Sequence, residues 1–201
     1  MTAIYDRAFD ELLDEAVAFH GHLCPGQVLG VRMTVAGCRA LSLPHPQQAG
    51  KRLVVFVEID RCATDAIEAL TGVSLGKRTL KHVDHGKMAA TFVDTTTGAA
   101  VRVAAREEAR ELARALVPEE SDLRRAQTVA YRTLDEVSLL ALAPVAVDPA
   151  WLRRQRRRVR CASCGEGVNY EREIRVGGRT LCRACAGDCY YTLLAGGPAR
   201  L

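Results

Sequence analysis

The chain has 201 residues, 48% of them hydrophobic and 26% charged, with a formal net charge of +4 and eight cysteines. That length allows one medium domain and a small appendage, and the composition is that of an ordinary globular chain rather than a disordered one. No uninterrupted apolar run approaches the roughly 18 residues of a membrane helix, so neither a membrane span nor a membrane partner is expected.

The N-terminal MTAIYDRAFDELLDEA is acidic and amphipathic. It reads as neither a secretory signal nor an Arg-rich transit peptide, and the expected location is cytoplasmic. In a reducing compartment the cysteines point to metal or reactive thiols rather than to disulfides. Ile4, Phe9, Leu12, Leu13, Ala16 and Val17 fall close to helical spacing and predict a helix over 4–18. The turn His20-Gly21-His22-Leu23-Cys24 follows, and Pro25 suits the first turn of a second helix running to about Ala40, with Cys24 near its N-cap.

Leu53–Ile59 is β-branched and apolar, the best strand signal in the chain. Cys62 comes just after it, ahead of a helix over Thr64–Leu70 that ends at Gly72. Thr79–Val83, Lys87–Asp94 and Ala100–Val103 alternate well enough for an antiparallel meander. Glu107–Leu116 and Asp122–Val137 predict two further helices. Residues 143–157 read as a linker, beginning with the proline-containing Ala143–Ala150 and running into the basic Arg153–Arg160. The expected fold class is α+β, a mixed or antiparallel sheet packed with helices over 1–142, followed by a small zinc ribbon over 158–201.

Charge is unevenly distributed: residues 151–201 hold 11 arginines and 4 acidic residues. Such a tail suits an acidic partner, although the chain has only 5% aromatic residues. Few stacking side chains accompany the charge, and nucleic acid is not the expected partner. The same tail reads Cys161-x2-Cys164-x17-Cys182-x2-Cys185. Two such knuckles place four sulfurs on one Zn²⁺ and leave no position for substrate or water, so this zinc is read as structural. Val168–Ile174 and Arg175–Leu181 make a plausible hairpin around Gly177-Gly178. Cys189 is a fifth candidate thiol.

The chemistry is expected upstream. His20, His22 and Cys24 are potential ligands grouped beside a helix start, where exposed N–H groups and the helix dipole favour a thiolate at Cys24. The imidazoles can serve as co-ligands or as proton carriers. Cys62 occupies an equivalent place, after a strand and before another helix. If both turns meet at one sheet edge, they make a second Cys/His site for Zn²⁺ or a similar transition metal. Cys38, mid-helix, reads as a small buried hydrophobe.

These residues resemble the FmdE family, named after the E subunit of molybdenum and tungsten formylmethanofuran dehydrogenases. The matching stretches are FHGHLCPGQVLGVRM at 19–33 and EIDRCATDAIEALTGVSLGKRTLKHVDHGKMAATF at 58–92, with CASCGEG…LCRACAGDCYY resembling the zinc-ribbon appendage of many members. The resemblance implies an α+β domain, a homodimer, a metal near the His/Cys turn, and molybdenum or tungsten enzyme subunits as partners. Its motif falls on His20, His22, Cys24 and Cys62, with Asp65, Lys77, Gly86 and Lys87 following. Asp65, Lys77 and Lys87 are the cleft candidates. Val73 stands where many members carry cysteine, and His85 where an aromatic residue is frequent; His85 is then an extra ligand or merely exposed.

Three functions fit. The first is a metal-binding accessory subunit or chaperone of a molybdenum or tungsten oxidoreductase of formylmethanofuran dehydrogenase type. The second is a free-standing metal- or thiol-dependent enzyme using Cys24 and Cys62 with His20 or His22. The third is a partner- or nucleic-acid-binding module built on the basic tail. The chain has neither the length nor the motifs of a pterin-bearing catalytic subunit.

Overall fold

The structure is a computed structural model that describes residues 2–153, 155–192 and 194. Arg154 of the basic run and residues 195–201 lie outside the described residues. The chain divides into two compact units, Met1–Asp148 and Pro149–Leu201. Among the described residues no helix is long and apolar enough to cross a membrane.

In the first unit, a 3₁₀ turn at Ile4–Asp6 precedes helix α1, Phe9–His20. The expected helix over 4–18 therefore starts late: Arg7 and Ala8 are extended, and Ile4 is anchored instead by its N–H to the Pro44 carbonyl at 2.8 Å. Helix α2 spans Pro25–Ala40, with Cys24 at its N-cap as the proline predicted. It is buried nearly all round, contacting α1 on one side and the sheet on another. Cys38 is fully buried in it, and burial pushes the thiol up to about 12.

Strand β1, Leu53–Val57, leads into helix α3, Cys62–Thr71, which closes on Gly72 in the left-handed region. Strands β2, Leu80–His82, β3, Ala89–Asp94, and β4, Ala100–Ala105, follow. The sheet order is β2-β1-β3-β4-β5. β2 pairs parallel to β1, which corrects the expected meander. Helix α3 supplies the crossover that a parallel pair needs, so β1 comes to lie between β2 and β3. The β1–β3 and β3–β4 pairs are antiparallel. Val55, Val57, Ala90, Phe92, Val101 and Val103 join residues of the helices in one core.

Helix α4, Glu108–Leu116, packs against α5, Leu123–Thr133, which starts on an Asp122 N-cap. The helix expected to run to Val137 breaks at Leu134, because Asp135 caps a separate turn, α6, Glu136–Leu139. Strand β5, Leu140–Pro144, then pairs antiparallel with β4, taking in Ala143 and Pro144 from the start of the expected linker. Pro144 is tolerated because β5 is an edge strand.

Arg52 and Asp94 tie the start of β1 to the end of β3, with Arg52 nitrogens 2.7 to 3.1 Å from the carboxylate oxygens. The Arg52 hydrogen bonds hold the buried Asp94 carboxyl down at about 2. Its folded pKa lies below that of an unfolded Asp, so the stabilisation is complete above about pH 5 and is lost as pH falls towards 2. Arg52 is half exposed, which discounts the effect. Urea titrations should find Asp94→Asn less stable by about 1–2 kcal/mol at pH 7. That difference should shrink steadily as the medium is acidified; a constant difference would contradict the pairing.

Among its described residues the second unit contains a short helix, α7, Pro149–Leu152, and four three-residue strands. β6, Arg158–Arg160, pairs with β7, Gly167–Asn169. β8, Ile174–Val176, pairs with β9, Arg179–Leu181. The Gly177-Gly178 turn falls where expected, but Val168 sits in β7 and pairs with β6. The Cys161–Cys164 knuckle folds β7 back onto β6 before the chain can extend the hairpin.

Candidate metal centre and its cleft

Cys24 caps α2 and Cys62 opens α3, so two helix N-termini present two thiols. The helices approach closely because two positions on α2 carry no Cβ. A Cβ at Gly26 would lie 2.8 Å from the Cys62 Cβ, and one at Gly30 would lie 2.6 Å from both the Ala63 carbonyl oxygen and the Ala66 Cβ. His20, the last residue of α1, completes the group: a ring nitrogen and the two sulfurs lie within 4.8 Å of one another.

Asp65, one turn into α3, sets the state of that imidazole. His20 Nδ1 is 2.7 Å from Asp65 Oδ2, and Nε2 is buried with no hydrogen-bond partner. A proton on Nδ1 donated to the carboxylate leaves the Nε2 lone pair unused, the arrangement of a metal-ligating histidine. Burial, and then the adjacent Cys24 thiol, push the Cys62 thiol up. Two neighbouring thiols resist ionising together, and a divalent cation removes that conflict. Gln27 Nε2 donates to the Cys62 carbonyl at 2.5 Å and braces the start of α3. These donors and the orphaned nitrogen fit a thiophilic, imidazole-accepting ion such as Zn²⁺.

Other expected site residues are placed differently. His22 is exposed and stands outside the group, its ring 4.5 Å from that of His20. Gly21, at φ +95°, ends α1 and turns the chain outward before His22. Lys77 does not line the cleft; its Nζ donates to the Gly72 carbonyl at 2.9 Å and caps α3. His85 is exposed, 3.5 Å from Glu58 rather than at the thiols. Val73 is buried in the core. Lys87 and Gly86 do line the cleft, together with Cys24 and Cys62.

That cleft has a volume of about 730 Å³ and reaches from the two cysteines to α4 and α5. Its far wall includes Arg124, Gln127 and Tyr131, spaced i, i+3 and i+7 on one face of α5. Arg32 on α2 anchors this wall by donating to the Tyr131, Arg132 and Leu134 carbonyls at 2.8 to 3.3 Å. Sequence reasoning missed the wall. The spacing is visible in the chain, but a polar helical face reads as solvated until something is packed opposite it.

In the second unit the sulfurs of Cys161, Cys164, Cys182 and Cys185 lie within 4.8 Å of one another. Backbone N–H groups of Ser163 and Cys182 reach Cys161 Sγ at 3.4 and 3.3 Å, and that of Cys185 reaches Cys182 Sγ at 3.4 Å. Backbone donation, from the Cys164 and Cys182 amides first, pulls the Cys161 thiol down to about 6. Cys189 is exposed, with its sulfur 3.1 Å from the Tyr191 carbonyl, and is not part of the group. Four convergent sulfurs can coordinate a metal in the manner of a zinc ribbon.

Comparison with known proteins agrees with this architecture. Residues 19–140 match the family described as FmdE, molybdenum formylmethanofuran dehydrogenase operon. A curated relative from Archaeoglobus fulgidus, named a probable S-adenosyl-L-methionine-binding protein, is 30% identical over 92% of this chain. The chain spans about half of that relative's length, 55%. The crystal structure of an FmdE-like protein of tungsten formylmethanofuran dehydrogenase type, from Syntrophus aciditrophicus, superposes with a TM-score of 0.64 at 25% identity. That match covers 96% of this chain and 100% of the other. The family match takes in more than half of the chain, including both helix starts that carry the upstream thiols, so the chain belongs to the FmdE family.

Proposed function

We propose that the upstream group, His20, Cys24 and Cys62, holds Zn²⁺ or a similar ion that serves a small molecule bound in the adjoining cleft. A second Zn²⁺ in the cysteine-rich unit is structural. The observation that carries this reading is the buried, unpartnered His20 Nε2 beside two thiols that line the cleft. Three protein donors are one short of a closed tetrahedral set, which is the pattern of working rather than structural zinc. Such an ion, when bound, polarises a carbonyl or activates water. Asp65 holds the His20 ring and its proton, while Gln27 and the glycine-lined helix contact hold Cys62 in place. The cleft volume is in the range of small-molecule sites.

Metal analysis of anaerobically purified protein tests this directly. Native protein should carry two metal ions per chain, one for each donor group, and Cys24→Ser or Cys62→Ser should carry one. A native chain with one ion, unchanged by either substitution, would rule the reading out.

A second reading is an accessory protein or chaperone of a molybdenum or tungsten formylmethanofuran dehydrogenase, with a second copy of the chain and the dehydrogenase itself as its partners. The family description and the name of the solved relative favour it. It needs the upstream metal to be cargo or a docking element, so metal without turnover on any small molecule supports it. S-adenosyl-L-methionine enters as a candidate ligand through the curated relative's name. It is itself a net cation, and the cleft wall is cationic, so it is the weaker candidate for this site.

A further inference from the structure

The cleft carries charge that the metal group does not explain. Six of its lining side chains are Arg or Lys, and one, Glu107, is acidic. Arg102 is neutralised by Glu58, at 2.6 and 2.7 Å, and Arg106 is engaged with the Val137 and Leu140 carbonyls. Arg110 lies 3.9 Å from Glu107. Among the described residues, Arg61, Lys87 and Arg124 have no ion-pair partner. Two thiolates neutralise a divalent ion, so a filled metal group would leave this cationic wall uncompensated.

A second observation points the same way. Gln127 and Tyr131 are only 8% and 3% exposed. Among the described residues neither the Gln127 amide nor the Tyr131 hydroxyl has a hydrogen-bond partner, and both residues line the cleft. Neither polar group is among the buried atoms left without a partner, so both keep solvent access, and the space they line is the cleft. Their free donors stand behind Arg124 on the same face of α5.

We propose that the cleft binds a small organic anion, a carboxylate or a phosphate. Its charged group lies against Lys87 and Arg124, it is hydrogen-bonded by Gln127 and Tyr131, and its other end is directed to the His20, Cys24 and Cys62 group. This rests on the small-molecule reading of the cleft, and it adds the chemical class of the ligand. Hydrogen bonds with ionised partners are the strong ones, so charge on the ligand is what the site selects.

Calorimetric titration of the full, zinc-loaded chain provides the test, with glutarate and pyrophosphate as probes and uncharged glutaramide as the isosteric control. At least one anion should bind about tenfold or more tightly than glutaramide. A preference for glutarate assigns a carboxylate ligand, and a preference for pyrophosphate a phosphate. Arg124→Gln and Lys87→Gln, both exposed positions, should each weaken that anion several-fold, and Gln127→Leu should do so without changing the metal content. Equal binding of anion and glutaramide, or affinity unchanged in all three variants, overturns the proposal. The metal reading is scored separately: a chain with ribbon metal alone that still binds glutarate retains the anion site and loses the upstream ion. A chain with both metals and no anion preference does the reverse.

Discussion

Replacing Cys161 with serine, or stripping metal with a strong chelator, should unfold the second unit and leave the first folded. Among its described residues the unit has almost no core: Cys161, Cys164 and Leu181 are the buried cluster, with Val168, Cys182, Cys185 and Ala186 packed beside them. Strands of three residues cannot offset the entropy of ordering the chain. Structural zinc supplies apparent free energies of about 10–16 kcal/mol at neutral pH in comparable small domains, more than the whole stability of a typical domain. Limited proteolysis should therefore cut the metal-free tail rapidly and spare Met1–Asp148, with the loss of one metal per chain. A chelated tail that resists protease, with zinc content unchanged in Cys161→Ser, would refute the structural assignment.

Gly30→Ala should destabilise the first unit and weaken the upstream metal together. Two effects oppose each other. Alanine is favoured over glycine in a helix interior by about 1 kcal/mol. Against it stands a Cβ placed 2.6 Å from the Ala63 carbonyl oxygen and from the Ala66 Cβ, neither of which is the end of a flexible side chain. Overpacking of that kind costs about 1–3 kcal/mol and is relieved only by moving α2 away from α3. With three contacts below 3.0 Å the clash outweighs the helix preference, by up to about 2 kcal/mol, and Tm should fall by as much as roughly 8 °C. The same movement separates Cys24 from Cys62, so metal affinity falls with it. Gly76→Ala is the control, since its added Cβ meets nothing within 4 Å. A Gly30→Ala protein as stable as the native one, with full metal, would show that the close contact does not set the site.

Much of the local structure was legible because it is encoded locally. Pro25 at a first helical position, Gly72 at a helix end and the apolar run at 53–57 each carry their own backbone preference, and the elements formed there. The four-cysteine spacing belongs to the same class, since a knuckle is a short turn. The errors came where competition between neighbours decides. Periodicity carried the first helix back to Ile4 and the fifth on to Val137, although Asp135 caps a new turn and a carbonyl across the fold captures Ile4. Strand direction was beyond local reading too, because alternation in β2 is the same whether its neighbour runs parallel or antiparallel.

The upstream site divides along the same line. The sequence by itself determined the donor types, their positions at two helix starts, and the cysteine-rich unit, because composition and short spacings carry that chemistry. Only the tertiary structure decided which donors meet. His20 is selected over His22 by a left-handed glycine between them, and Asp65 becomes the orienter of His20 because α1 and α3 pack together. Lys77 is diverted to a helix end while Lys87 faces the cleft. Arg124, Gln127 and Tyr131 acquire a role when α5 is held across from two thiols more than 60 residues away in the chain. Contacts between such distant segments depend on how helices and strands pack, and no local preference of the chain specifies that packing.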